Sequence, residues 1–202
     1  MSDGDDEGTE SWPGSYPPAD ITASEFEAWV AEIFSAAEGR VDDLRVALHE
    51  SVPGADGEYD FDATARYRWV GLEFLVLVEA KRHKNPIKRE LVQVLHQKLQ
   101  SVGAHKAVMI STAPYQRGAL DFAKAHGIAL VSLTEGRFTI LMRSAGKHPA
   151  LTREEASTWY ETPTFVGFCL GPGDSPESTR STIISSQYPD YVVELLLSLP
   201  ER

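Results

Sequence analysis

The hydrophobic positions of this chain change period several times, and each change predicts an element. The apolar run F-L-V-L-V at 74–78 is rich in β-branched residues, which is typical of a buried strand. Residues 58–68 alternate strictly instead, which predicts a half-buried strand. Its apolar face would carry Tyr59, Phe61, Ala63, Ala65 and Tyr67. A turn near Val70-Gly71 joins the two strands, so we expect an antiparallel hairpin.

Three segments show the spacing of amphipathic helices. The first follows Ser24-Glu25-Phe26-Glu27, which predicts a capping box with Ser24 as N-cap and Glu27 as its partner. Its predicted inward residues are Phe26, Val30, Ile33, Phe34 and Ala37. The second begins at Lys88, with an expected buried stripe of Leu91, Val94, Leu95, Leu99 and Val102. The third spans 114–126, with Ala119, Phe122, Ala123 and His126 inward.

The remaining patterns complete the predicted order of elements. A strand at 41–52 precedes the hairpin, and short buried strands at 106–111 and 128–133 flank the third helix as a parallel crossover. The order is therefore helix, three strands, helix, strand, helix, strand, an α/β class. The later patterns are weaker. They predict an edge strand at 138–142, extended structure at 159–170, a mobile loop at 171–181 and a C-terminal helix at 191–199. The acidic, proline-containing residues 1–21 are expected to form a disordered arm.

Composition bounds the class of protein. A chain of 202 residues with 42% hydrophobic side chains can bury a full core. The lone cysteine, Cys169, excludes an internal disulfide and favours a reducing cytoplasm. We expect no membrane segment, since no apolar run reaches spanning length, and no nucleotide cofactor, since the phosphate-binding G-x-x-x-x-G-K-S/T motif is absent.

The net charge of -11 argues at first against nucleic-acid binding, but the charge is unevenly distributed along the chain. Residues 1–62 hold 17 acidic and 2 basic side chains, whereas residues 63–126 hold 11 basic and 4 acidic ones. Such a local concentration of positive charge is what a phosphate-binding surface requires. A solvated basic face on an acidic protein explains the same counts, and charge alone does not separate the two interpretations.

Candidate chemistry lies at the end of the 74–78 strand, in Glu79-Ala80-Lys81. Side chains alternate along a strand, so the carboxylate of Glu79 and the ammonium of Lys81 leave on one face. A carboxylate can hold Mg²⁺, and a nearby lysine can orient a metal-activated water or stabilise charge on a phosphate. Antiparallel pairing would bring Asp60 to the same edge. The alternatives are a surface ion pair for Glu79 and Lys81, and an ordinary polar strand face for Asp60 and Asp62.

With this order of elements, the chain resembles the PD-(D/E)xK nuclease superfamily, and most closely the Mrr-like restriction endonuclease domains. The resemblance spans about residues 24–142 and is carried by several segments. These are F-E-A-W-V-A-E-I-F at 26–34, E-Y-D-F-D at 58–62, V-E-A-K-R-H at 78–83, G-A-H-K-A-V-M-I-S-T at 103–112 and the run from Gly118. It implies a three-layer α-β-α, restriction-endonuclease-like core with a mixed sheet at 22–143, followed by a C-terminal extension at 144–202.

The resemblance also implies roles for single residues. Asp60 and Glu79 would be metal ligands together with the Ala80 carbonyl, and Lys81 would be the catalytic lysine. Glu27 corresponds to an additional acid of the first helix, and Gln97 lies near a helix glutamine of related nucleases. The basic turn, which consists of Arg82, His83, Lys84, Lys88 and Arg89, would bind DNA.

Three functional hypotheses follow. The first is a Mg²⁺-dependent DNA endonuclease of the restriction or defence type, with Mn²⁺ as an alternative metal. The second is an Mrr-like DNA-binding module that cleaves weakly or not at all. The third is an effector subunit of a defence system, regulated by a partner protein. In either enzymatic case, specificity could come from a homodimer or from that partner.

Overall fold

A seven-stranded mixed sheet forms the centre of the protein, and its strands lie side by side in chain order. The computed structural model describes residues 19–135, 164–172 and 179–197. The strands are β1 (Asp42–Gly54), β2 (Gly57–Trp69), β3 (Leu72–Lys81), β4 (Lys106–Ser111), β5 (Ala129–Glu135), β6 (Phe165–Pro172) and β7 (Thr179–Ile184). The β3–β4 and β4–β5 pairs are parallel, and the other four pairs are antiparallel.

Helices cover both faces of this sheet, which gives the three layers. Those of the described residues are α1 (Ala23–Ser35), α2 (Arg89–Val102), α3 (Arg117–His126) and α4 (Pro189–Leu197). Residues of α1 and α4 pack with alternate residues of the central strands, among them Val78, in one core cluster. Residues of α2 and α3 pack with the intervening residues, among them Leu77, in the other. The predicted α/β class, mixed sheet and order of elements are confirmed.

Strand β2 departs from the predicted alternation at Asp62. Ala63 packs in the cluster on the α1 side, whereas Phe61 packs in the cluster on the α2 side. The irregularity lies opposite, in β1, where His49 has a φ of 51° and falls between the pairs Leu48–Ala63 and Glu50–Phe61. The prediction of one continuous apolar face for residues 59–67 is therefore wrong, because β2 changes face where it parts from β3.

The start of α1 differs from the prediction by two residues. Thr22 is the N-cap: its Oγ1 accepts the Glu25 N–H at 3.2 Å, and its own N–H donates to Glu25 Oε2 at 2.9 Å. The capping box is thus Thr22 with Glu25, and Glu27 is free of that role. Ala19 and Ile21 are buried in the core, so the packed part of the chain begins before the predicted end of the arm at residue 21. Residues 1–18 lie outside the described residues.

Helices α2 and α3 bury slightly different faces from those predicted. In α2 the buried residues are Val92, Leu95 and Leu99, and Val94 is 52% exposed. In α3, Ala119 and Ala123 are buried as predicted, whereas His126 is exposed. Both helices end at a glycine in the left-handed conformation that glycine adopts without a Cβ penalty. With this face of α2 buried, Lys98 points toward the sheet, and its side chain is 20% exposed.

The C-terminal strands and helix extend the core. The predicted loop at 171–181 overlaps the end of β6 and the start of β7, so that prediction is wrong in part. The predicted terminal helix is confirmed as α4, and it is held by the Tyr67 hydroxyl, which donates to the Leu196 carbonyl at 2.7 Å. The predicted edge strand at 138–142 lies outside the described residues. Among the residues that are described, none belongs to a helix long and apolar enough to cross a membrane.

Candidate active site at the end of β3

Glu79 and Lys81 leave β3 on the face that α2 covers. The Lys81 Nζ lies 2.6 Å from Glu79 Oε1. The Glu79 side chain is only 13% exposed and that of Lys81 is 25% exposed, so the pair is largely withdrawn from solvent. A surface ion pair of little energetic consequence would be well exposed. The predicted shared face of the two side chains agrees with this geometry.

A second lysine, Lys98 of α2, contacts the same carboxylate. Its Nζ lies 3.2 Å from Glu79 Oε2, and its side chain is 20% exposed. The Nζ also lies 3.4 Å from the Asp60 carbonyl oxygen and 5.2 Å from the centre of the Phe61 ring. Both oxygens of Glu79 are therefore held by ammonium groups. The hydrophobic pattern of α2 carries no signal for Lys98, because this residue lies outside the predicted buried stripe.

The aspartate that contacts the end of β3 is Asp62. Its Oδ2 accepts the Ala80 N–H at 2.6 Å. The β2–β3 pairing ends at Ala63 and Val78, so Asp62 and Glu79 are the first residues beyond it on the two strands. Asp60 is exposed and reaches the site through its main-chain carbonyl oxygen. The structure thus brings Glu79, Lys81 and Lys98 into contact and places the Asp62 carboxylate on the adjacent Ala80 main chain. The Asp60 side chain is exposed.

A small cavity lies on the other side of the β3 end, toward α1. Its volume is about 170 Å³, and its walls are mostly apolar, from residues such as Phe26 and Val30. Glu27, Asp62, Ala80 and Arg82 also line it. Glu27 therefore lies on the α1 side of the β3 end, and its carboxylate is 3.3 Å from the His49 imidazole. Its role as an accessory acid stays a prediction.

The basic turn is exposed at all five of its charged or ionisable positions. Main-chain bonds fix its path: the Ile87 N–H donates to the Pro114 carbonyl at 2.8 Å, and the Gln116 N–H donates to the Ile87 carbonyl at 3.0 Å. The cations thus project from a turn that is tied to the segment preceding α3. Gln97, the accessory residue predicted on α2, is exposed while the adjacent Lys98 faces Glu79.

Two histidines lie beside the basic turn, on the outer surface of α2 and α3. The ring centres of His96 and His126 are 4.4 Å apart. Burial lowers the pKa of His96, and the neighbouring His126 lowers it further. His96 thus binds a proton less readily than an ordinary histidine.

The donor set at the β3 end suits a hard divalent cation. It consists of the carboxylates of Asp62 and Glu79 and the main-chain carbonyl of Ala80, all oxygen donors of the kind that Mg²⁺ and Mn²⁺ prefer. The described residues contain no cluster of three or more His, Cys, Asp or Glu side chains that could hold a metal. A cation here would rely on two carboxylates, a carbonyl and water, and it would compete with ammonium groups for Glu79.

The chain is similar to a solved structure and to one family of known proteins. One similar solved structure is a crystal structure of a protein of unknown function, AF1548, with 17% identity and a TM-score of 0.43. The match covers 52% of this chain and 55% of that one. No curated protein matches the chain significantly. Residues 19–135, more than half of the chain, match the family model of the Mrr catalytic domain, described as a restriction endonuclease. This match covers α1 to β5 and includes every residue of the candidate site, and the chain therefore belongs to the Mrr family of restriction endonuclease domains.

Proposed function

We propose that this protein is a metal-dependent DNA endonuclease of the restriction or defence type, acting in the cytoplasm. The observation that carries the proposal is the half-buried Glu79–Lys81 pair beside Asp62, within the segment that matches the nuclease family. Carboxylates and a lysine at one strand end supply what phosphodiester hydrolysis needs: oxygen ligands for a cation and a positive group near the reacting phosphate.

Asp62, Glu79 and the Ala80 carbonyl would hold Mg²⁺ or Mn²⁺. We assign the aspartate role to Asp62 in place of Asp60, because the Asp62 carboxylate already lies against the Ala80 main chain. When bound, the cation would activate a water molecule and neutralise charge on the phosphate.

Lys81 acts in the chemistry and does not hold the cation. Its ammonium stands beside Glu79, where it can orient the attacking water and stabilise the negative charge that grows on the phosphate. Losing such a donor typically slows the chemical step by about 10²–10³.

The basic turn would bind the DNA backbone. Its exposed cations follow directly after Lys81 in the chain, so a strand that contacts them passes close to the site. Contacts to phosphate fix the position of the duplex and carry no sequence information directly. Sequence preference would then come from elsewhere, from a second copy of the chain or from a partner protein.

A DNA-binding module without cleavage is the second candidate, and one observation favours it. Both Glu79 oxygens are engaged by lysines, which is a complete ion-pair arrangement without any cation. In that case the Mrr fold would serve to recruit DNA, and the residues of the site would only stabilise the strand end.

Cleavage of supercoiled plasmid, with and without Mg²⁺ or Mn²⁺, separates the two. We expect nicking only with the cation, and none from Glu79→Ala or Asp62→Asn. Lys81→Ala should bind DNA normally and cleave about 10²–10³ slower. Glu73→Ala, an exposed acid at the other end of β3, is the matched control and should cleave normally. Wild-type protein that binds plasmid without nicking it would favour the binding module.

The same assay decides between the two aspartates. Asp60→Asn should cleave at nearly the wild-type rate if Asp62 is the ligand. If Asp62→Asn is fully active and Asp60→Asn is inactive, Asp60 is the metal ligand. Full activity of Lys81→Ala would mean that Glu79 and Lys81 form only an ion pair.

A further inference from the structure

Lys98 is an unusual lysine for an outer helix. Most lysines of such a helix extend into water, whereas its side chain is 20% exposed and its ammonium lies over the Phe61 ring. The ammonium also contacts the Glu79 carboxylate and the Asp60 carbonyl oxygen. These contacts fix the charged end of Lys98 against the same carboxylate that Lys81 contacts from β3.

Glu79 is already paired without a cation. Its two carboxylate oxygens contact the ammonium groups of Lys81 and Lys98. A divalent cation that binds there adds positive charge beside two lysines and takes Glu79 away from at least one of them. Lys81 is the neighbour of Glu79 on the same strand, and it forms the shorter contact. The longer contact, to Lys98, is the one more easily given up.

We propose that Lys98 is a positioning residue that holds Glu79 in the absence of a cation and is exchanged for the cation when it binds. This inference rests on the proposed nuclease function. Once released from Glu79, the ammonium is available to the phosphate of bound DNA, as a second positive group on the α2 side of the site. The exchange couples cation binding to DNA binding, because the cation binds Glu79 and the DNA phosphate binds Lys98, and both events break the Glu79–Lys98 pair.

The test measures cation affinity directly, without DNA and without cleavage. Mn²⁺ binding to the full chain is followed by electron paramagnetic resonance or calorimetry for wild type, Lys98→Met, Lys98→Arg and Lys124→Met. Methionine keeps the length of the buried stem and removes the charge, so Glu79 loses one competitor. A hydrogen bond to a charged group changes an equilibrium constant by about tenfold or more. We therefore expect Lys98→Met to bind Mn²⁺ about tenfold more tightly than wild type.

The other variants control for charge and for folding. Lys98→Arg keeps the positive charge and should bind Mn²⁺ with nearly wild-type affinity. Lys124→Met, an exposed lysine of α3, should change nothing. Lys98→Met should cleave plasmid more slowly than Lys124→Met, although it binds the cation more tightly. A lysine with a purely structural role would not produce this combination of tighter cation binding and slower cleavage. Thermal melting of each variant verifies that the comparison is made on folded protein.

Each outcome decides the proposal. If wild type binds Mn²⁺ and Lys98→Met binds it equally or more weakly, the exchange is refuted and the nuclease function stands. If neither wild type nor Lys98→Met binds Mn²⁺, the proposed function fails and the exchange fails with it. If Lys98→Met alone binds Mn²⁺ measurably, the competition by Lys98 is supported.

Discussion

Lys106 at the start of β4 is a buried lysine whose titration should be visible in the stability of the protein. It is 7% exposed, and its ammonium donates to the Leu195 carbonyl near the end of α4. Burial lowers its pKa from 10.5 to about 8, and the opposing effects of Cys169 and Glu194 are smaller. The proton of Lys106 is thus bound less tightly in the folded protein than in the unfolded chain.

The sign and size of the effect follow from linkage. Between pH 8 and pH 10.5 the unfolded chain keeps its proton while the folded protein loses it, so folding stability rises with pH in this window. Below pH 8 the full cost of charging a buried amine is present. At about 1.4 kcal/mol for each pKa unit, a shift from 10.5 to about 8 corresponds to about 3 kcal/mol.

The assay is urea denaturation of wild type and Lys106→Met at a series of pH values. Methionine removes the titrating group and leaves the Leu195 carbonyl without this donor, which costs about 1–3 kcal/mol at every pH. We expect the difference in unfolding free energy, wild type minus variant, to rise by about 3 kcal/mol between pH 8 and pH 10.5. The difference is the quantity to use, because burial raises the pKa of Cys169 to about 11 and lowers stability at alkaline pH in both proteins. The Lys106 charge opposes that rise in the wild type, so the part of the Cys169 effect that depends on Lys106 stays in the difference.

Lys124→Met changes an exposed lysine of α3, and its difference from wild type should stay flat across the same range. A flat difference for Lys106→Met as well would mean that Lys106 remains charged in the fold at high pH. Burial would then not lower the pKa of Lys106, and the ammonium would be solvated through a path that the described residues do not show.

Three further predictions concern single sites. Alanine at each cation of the basic turn should weaken DNA binding uniformly across sequences and reduce the salt dependence by about one ion per contact, which filter or fluorescence titrations at several salt concentrations would measure. Asp62→Ala should lower the free energy of unfolding by about 1–2 kcal/mol in denaturation experiments, because the Ala80 N–H loses its acceptor, whereas Asp60→Ala should stay within about 0.5 kcal/mol. Val70→Asn should raise the melting temperature, since this β-branched residue has a φ of 51° in the β2–β3 turn, a strain of about 1 kcal/mol; an unchanged melting temperature would contradict it.

Much of the fold could be predicted from the sequence because its signals are local. The β-branched run before Glu79 and the alternation after Gly57 each specify a strand, and a short turn allows only antiparallel pairing between them. The strand at 106–111 has its predicted bounds, because the apolar run A-V-M-I at 107–110 lies between Gly103, which ends α2, and Pro114. Such patterns depend on periods of two and 3.6, which require no knowledge of the rest of the chain.

The position of Asp62 could not be predicted in this way. The alternation of β2 assigns Asp60 and Asp62 to the same face, and only the change of face near His49 separates them. The change of face occurs where β2 still pairs with β1 but no longer pairs with β3. It therefore depends on all three strands. A pattern within one strand carries no information about it.

The burial of Glu79 favours one of the two interpretations of the E-x-K triplet. An ion pair at the surface gains little and loses little, so it would leave both groups in water. Here Glu79, Lys81 and Lys98 have side chains that are 13%, 25% and 20% exposed, and withdrawing charges from water is unfavourable even when they are paired. An arrangement of this kind is weak as a source of stability, since apolar side chains of similar volume would serve the fold as well. The proposed chemical use is a better explanation: a carboxylate kept between two lysines is already desolvated and positioned. A cation could then replace Lys98 as the partner of Glu79, and a phosphate could replace Glu79 as the partner of Lys98.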